Sequence, residues 1–227
     1  PAYWAFGPGS FLAGCFDDAF SDWDFQYAGA PIVNLATLQQ ALNRTIPMAR
    51  IEPVPLPGCE QITLGLINAD FPTGPLPGDV MRDVLAEPAY WSLCWGSGLA
   101  LARFVLADPT WVAGKTVVDL GSGSGVVAIA AALAGAHSVV ACDTDADARL
   151  STAINAELND VRVTVTDTLP ARSDILLMAD VLYDRQNLPL LGIAQEHASE
   201  VLVADSRVTT LCDPGYREVA RINALTY

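Results

Sequence analysis

Residues 116–125 read TVVDLGSGSG, and no other stretch restricts the fold as strongly. The first five residues form an apolar, β-branched run of the length expected for a buried strand. Gly121, Gly123 and Gly125 then alternate with Ser122 and Ser124, and VVAIAAALA follows with helical composition. A strand that turns through glycines into a helix is a nucleotide-binding device. Glycine accepts left-handed backbone angles and lets a ligand lie close to the chain, and the helix start presents free amide groups. The third glycine falls one position too early for the dinucleotide pattern G-x-G-x-x-G, and residue 126 is valine. Asp119, two positions before the first glycine, would repel a pyrophosphate and attract a cation. Roughly 20 residues on, SVVACD (138–143) reads as a second strand ending in an acid.

The pieces around this stretch alternate. The acidic run after Asp143, TDADARLSTAINAELND, predicts a helix with carboxylates in its first turn, where the helix dipole favours them. VRVTVTD (161–167) reads as a strand, DILLMAD (174–180) as a central strand because it is apolar throughout, and EVLVAD (200–205) as another. A mostly helical segment with Pro189 in its first turn separates the last two. Strand–helix alternation predicts an α/β fold with a doubly wound, mainly parallel sheet. Ligands in such sheets bind at the carboxyl ends of the strands. Asp119, Asp143, Asp167, Asp180 and Asp205 all fall at those ends, a recurrence that packing alone does not predict.

Three segments are expected: an extension at 1–33, a small N-terminal lobe at 34–87 and a nucleotide-binding domain at 88–227. In the lobe, residues 34–46 space leucines for a helix with Asn34 as a possible cap. PVPLPGC (53–59) reads as a proline-rich connector, QITLGLI as a strand, and Pro77 opens a short helix. In PAYWSLCWGSGLALARFVLADP (88–109), Ser97 is the expected cap of a helix that stops before Pro109. After residue 205 only one further strand, within 217–227, is expected. Either the sequence stops short of a closing hairpin or the N-terminal extension covers that sheet edge.

The net charge is −14 and the isoelectric point about 4.2. Such a surface disfavours a nucleic-acid substrate and fits a basic, lysine-bearing partner. Five cysteines, an odd number with no C-x-x-C, argue for a reducing compartment and against a disulfide framework or zinc site. No ligand cluster for a metal is evident. The longest apolar run, 125–136, is too short to span a membrane, and no secretory leader is recognised. A cytoplasmic location is expected.

The pattern D-x-G-x-G-x-G resembles motif I of the class I (seven-β-strand), S-adenosylmethionine (SAM)-dependent methyltransferases. DVLY (180–183) is similar to the D-x-x-Y motif of the protein methyltransferases grouped as family 16. With PAYWSLCWGSGLALARFVL, ACDTD and NAELN, the chain over roughly 34–217 resembles the group that includes the lysine methyltransferase of the electron transfer flavoprotein β subunit and its bacterial relatives. The resemblance implies a Rossmann-like fold, SAM as cofactor with S-adenosylhomocysteine as product, and a protein substrate with an accessible lysine, such as that β subunit. It implies that Asp119 holds the SAM amino group and that Gly121, Ser122 and Gly123 lie along its methionine part. Asp143 would meet the ribose and Asp167 the adenine amino group, Trp95 would flank the cofactor, and Gly98, Thr144 and Ala179 would also contact it. Asp180 would orient the lysine amine and Tyr183 line its channel. DNA- and glutamine-modifying enzymes carry prolines between the acid and the tyrosine, which are absent here. A methyltransferase of a small-molecule amine, a non-catalytic SAM-binding module and a nicotinamide-dependent oxidoreductase are the competing readings. The last is disfavoured by the early third glycine and by Asp119.

Overall fold

The computed structural model describes residues 2–6, 34–71, 74–208, 211, 213 and 215–227. The expected extension therefore lies, except for residues 2–6, outside the described residues. In chain order the elements are β1 (Ala2–Phe6), α1 (Leu35–Leu42), β2 (Ile51–Leu56), β3 (Cys59–Ile67), α2 (Gly78–Ala86), α3 (Gly96–Ala107), β4 (Thr116–Leu120) and α4 (Val126–Leu133). They continue with β5 (Ser138–Cys142), α5 (Ala146–Leu158), β6 (Thr164–Thr166), β7 (Ser173–Ala179), α6 (Leu190–His197), β8 (Ala198–Asp205) and β9 (Arg217–Ile222).

One sheet runs β6-β5-β4-β7-β8-β1-β9. Its first five strands are parallel. β7 lies between β4 and β8, and Ile175, Leu176, Leu177 and Met178 have no exposed surface. Their side chains alternate between two cores, as the strand period of two requires. Ile175 and Leu177 join α3 and α4 on one face, whereas Leu176 and Met178 join Leu191 and Ala194 of α6 on the other. Each such buried side chain contributes about 1.5–3 kcal/mol. The apolar 174–180 run is thus central because both its faces are covered.

β1 lies between β8 and β9 and is antiparallel to both. The slot beside the fifth parallel strand is taken by an N-terminal strand, and among the described residues after β8 one strand, β9, follows at the edge. Beyond β9 the chain turns back to the start of α3, where the backbones of Tyr227 and Cys94 exchange two hydrogen bonds.

The stretch expected as a proline-rich connector is instead strand β2, paired antiparallel with β3. Pro53 and Pro55 are two residues apart and lie on the same edge, so their missing N–H groups cost no ladder bond. Asn155 of α5 and Asn159 at its C-terminal cap fasten this hairpin to the sheet domain. Asn155 Oδ1 accepts from Gly65 N at 2.7 Å while its Nδ2 donates to Ser124 O at 2.9 Å. Asn159 exchanges a pair of hydrogen bonds with the Thr63 backbone. The NAELN spacing, four residues on a helix, puts both amides on one face. The strand expected over 161–167 shortens to Thr164–Thr166 at the sheet edge.

Candidate active site

A cavity of about 700 Å³ opens at the carboxyl ends of β4, β5 and β7. Its first half is the glycine turn. Gly121, Gly123 and Gly125 have φ of +75°, +53° and +81°, angles costly for any residue with a Cβ. Close approach adds a second constraint at Gly121, where a Cβ would sit 2.2 Å from Val181 Cγ1. At Gly123 a Cβ would meet no protein atom within 4 Å. That backbone faces open cavity. Ser122 and Thr152 hydroxyls pair at 3.0 Å, which turns the Ser122 side chain toward α5 and leaves its backbone to the cavity.

Asp119 lines this half and is 1% exposed. Its Oδ2 accepts from Ala128 N at 3.0 Å, in the first turn of α4. Burial pushes its pKa up to about 7; the Ala128 amide opposes this and the Asp143 charge adds to it. Oδ1 has no donor among the described residues. Asp143, half-buried, accepts from Gly123 N at 2.9 Å and Asp145 N at 3.0 Å. Its carboxylate thus braces the turn from the next strand. Arg149 Nη1 donates to the carbonyls of Asp143 and Thr144 and orders the start of the following helix.

The second half of the cavity is aromatic. Trp95 and Tyr90 meet edge-to-face with centroids 5.8 Å apart, and Trp95 Nε1 donates to Tyr90 O at 2.9 Å. Tyr183 packs on Tyr90 at 5.7 Å and stands 48% exposed at the mouth. The Arg207 guanidinium lies 5.9 Å from the Tyr183 ring centroid.

Asp180 stands between the halves with φ +55°, a left-handed angle rare for a residue with a side chain. Its carboxylate is turned to the start of α3. Oδ2 accepts from Ser97 N at 2.9 Å and Gly98 N at 3.1 Å, and Oδ1 accepts from Ser97 Oγ at 2.6 Å. Ser97, the expected helix cap, is therefore capped rather than capping: α3 begins at Gly96 and the acid that serves it follows the end of β7, distant in sequence. Burial raises the Asp180 pKa, these three donors lower it, and the nearby Asp205 charge raises it again.

The 104–184 segment matches the model of the ribosomal protein L11 methyltransferase (PrmA) family. Over 127 residues the chain is 34% identical to the electron transfer flavoprotein β-subunit lysine methyltransferase of Mus musculus, covering 51% of this chain and 50% of that protein. The fold is Rossmann-like, and the matched segment is similar to class I, SAM-dependent methyltransferases. The Danio rerio lysine methyltransferase is 39% identical, covering 51% and 49%. The ribosomal protein L11 methyltransferase of Bordetella parapertussis is 38% identical over 161 residues, covering 60% and 52%. The chain spans about half the length of these curated relatives.

The residues fit the cofactor of that class. SAM carries a cationic amino group, and the buried Asp119 has a spare oxygen at the cavity wall. The Gly123 backbone is open where a Cβ would project. Of the residues expected from sequence, Trp95, Gly98, Asp119, Gly121, Ser122, Gly123, Asp143, Thr144, Ala179, Asp180 and Tyr183 all line this cavity. Asp167 does not: it is exposed and accepts from Thr168 Oγ1 at 3.0 Å. Sequence reasoning passed over Tyr90, Arg207, Asn187 and the tail residues Ala224 and Thr226, which also line it. Tyr90 lies in the 88–109 segment ahead of the helix; the others carry no motif. Strand-end acids are also explained more plainly than expected, since Asp119 and Asp180 satisfy helix amides that would otherwise be orphaned. Among the described residues no helix is long and apolar enough to cross a membrane, and no group of three or more potential ligands could hold a metal ion.

Proposed function

We propose that this chain is a SAM-dependent protein-lysine N-methyltransferase whose substrate is the electron transfer flavoprotein β subunit or another lysine-bearing protein. The observation that supports this reading is a single cavity in which an acidic, glycine-lined half meets an aromatic half across Asp180. When bound, SAM supplies an electrophilic methyl on a sulfonium. Asp119 would hold its amino group through Oδ1, Asp143 its ribose hydroxyls, and the 121–123 backbone its methionine part. An exposed lysine has a pKa near 10.4 and arrives protonated, without a lone pair. The stem of an incoming lysine would lie between Tyr90, Trp95 and Tyr183, where apolar surface favours the neutral amine. An ammonium would also be attracted by these ring faces.

Asp180 is the group that faces both halves. Oδ1 holds one donor, Ser97 Oγ, and so retains capacity for an N–H of the acceptor amine. In this reading Asp180 orients the amine lone pair and takes up its proton, while Ser97 and Gly98 hold the carboxylate still. Much of the acceleration then comes from positioning. The left-handed backbone at Asp180 is the strain that this placement costs, of order 1–2 kcal/mol.

The test incubates the protein with methyl-labelled SAM and, separately, purified electron transfer flavoprotein, purified ribosomal protein L11 and a cell extract. Label on a lysine of the flavoprotein β subunit establishes the substrate. Label on L11 or another protein keeps methyl transfer and replaces the named substrate, an outcome that the PrmA-family match makes specific. SAM binding with no labelled protein would overturn the protein-lysine reading in favour of a small-molecule amine or a binding module.

A further inference from the structure

Asp205 ends β8 and is 3% exposed, yet it is absent from the cavity wall. Its role cannot be contact with SAM or acceptor. Its carboxylate instead joins two loops. Oδ2 accepts from Leu182 N at 3.2 Å, across 23 residues of sequence. Oδ1 accepts from Arg207 N at 2.8 Å and Val208 N at 3.1 Å. Leu182 is the plug before Tyr183: its side chain is buried in the core shared with α6, while Tyr183 stands out at the mouth. Arg207 is the residue whose guanidinium lies over the Tyr183 ring. One buried carboxylate therefore sets the height of both members of the Tyr183–Arg207 pair. Asn187 adds a weaker pin, donating Nδ2 to Val181 O at 2.7 Å.

We propose that Asp205 is a positioning residue for the acceptor, holding Tyr183 and Arg207 as one wall of the cavity mouth without acting on the cofactor half. The inference rests on the reading of this mouth as the acceptor entrance. The cofactor half has its own braces, Asp119 on Ala128 and Asp143 on Gly123, neither of which touches Asp205. Disturbing Asp205 should therefore separate the two functions of the site, whereas a general loss of structure would move both.

The variant is Asp205→Asn. Its remaining oxygen can still serve the Arg207 and Val208 amides, but its NH₂ then faces Leu182 N, donor against donor. Three measurements follow. Isothermal titration should give the wild-type affinity for SAM. Amide hydrogen exchange should accelerate at Leu182 by about tenfold, the loss of a hydrogen bond to a charged group, with residues 121–128 unchanged. With whichever protein the wild type labels, the acceptor KM should rise by about tenfold, while kcat changes less and only through the Asp180 pKa, which the lost Asp205 charge no longer raises. A fall in SAM affinity parallel to the KM rise, or unchanged exchange at Leu182, would overturn the proposal. Unprotected exchange of Leu182 and Val208 in the wild-type protein would overturn it without any variant. If the wild type labels no protein, the protein-lysine reading has failed, and the exchange and SAM titrations still decide whether Asp205 pins the two loops independently of the cofactor half.

Discussion

Asp119→Asn should stabilise the protein without cofactor and cripple cofactor binding at once. In the folded chain burial holds the Asp119 pKa at about 7, against an ordinary value of 3.8. A raised carboxylate pKa means that full stability is present below about pH 3.8. It is lost as the pH climbs to about 7, because the unfolded chain ionises first. The loss accumulates at about 1.4 kcal/mol per pH unit, so it reaches about 4 kcal/mol at pH 8 and about half of that at pH 5.5. Asparagine never ionises, and its carbonyl oxygen can still accept from Ala128 N. Exchanging a charged acceptor for a neutral one there returns about 1 kcal/mol, which leaves a net gain of about 3 kcal/mol at pH 8. Against typical domain stabilities of about 5–15 kcal/mol this is readily measured. Urea unfolding of both proteins at pH 5.5 and 8 gives the stabilities, and isothermal titration gives the SAM affinity. The wild type must also ionise Asp119 to hold a cation, so its SAM affinity should fall up to about tenfold per pH unit below pH 7, and the variant should lose that dependence. An Asn variant less stable than wild type at pH 8, or one binding SAM unchanged, would refute the assignment of Asp119 as a buried acid reserved for the cofactor's amino group.

Further outcomes separate the structural from the ligand-facing residues. Gly121→Ala should destabilise by about 3 kcal/mol in chemical denaturation, combining a Cβ 2.2 Å from Val181 with a left-handed φ. Gly123→Ala meets nothing and should cost only about 1–2 kcal/mol from its φ, yet lower SAM affinity in titration because its methyl enters the cavity. Asn155→Ala removes bonds to both Gly65 N and Ser124 O; a loss of about 2–3 kcal/mol and faster proteolysis within 51–67 are expected. Asp143→Ala should weaken SAM binding strongly in the same titration while leaving the far-ultraviolet circular dichroism unchanged; wild-type affinity would remove it from the ribose.

What the sequence made legible follows its local physics. The motif at 116–125 combines a β-branched run, alternating glycines and an apolar helix, each a property of a few adjacent residues. The parallel strand series follows from alternation of apolar runs with amphipathic segments. That Asp119, Asp143 and Tyr183 would come to one cavity was readable because each sits at a set distance from such a landmark. The errors share a physical origin in long-range pairing. Pro53 and Pro55 argued for a connector, but on an edge strand the missing donors face away from the partner. Ser97 looked like a helix cap, but Asp180, 83 residues away, takes that position. Tyr90 lay in a segment without period, and only its packing against Trp95 and Tyr183 marks it.

The sequence by itself determined the strand–glycine–helix turn, the order of alternating elements and the row of acids at strand ends, because these depend on neighbours within one or two turns of chain. The tertiary structure alone decided what each acid faces. Asp119 and Asp180 meet helix starts, Asp143 braces the glycine turn, Asp205 joins two loops, and Asp167 is left in solvent. It also decided that the N-terminal strand lies between β8 and β9. A carboxylate takes its role from the donors and the dielectric around it, and those are supplied by residues that the linear order keeps far apart.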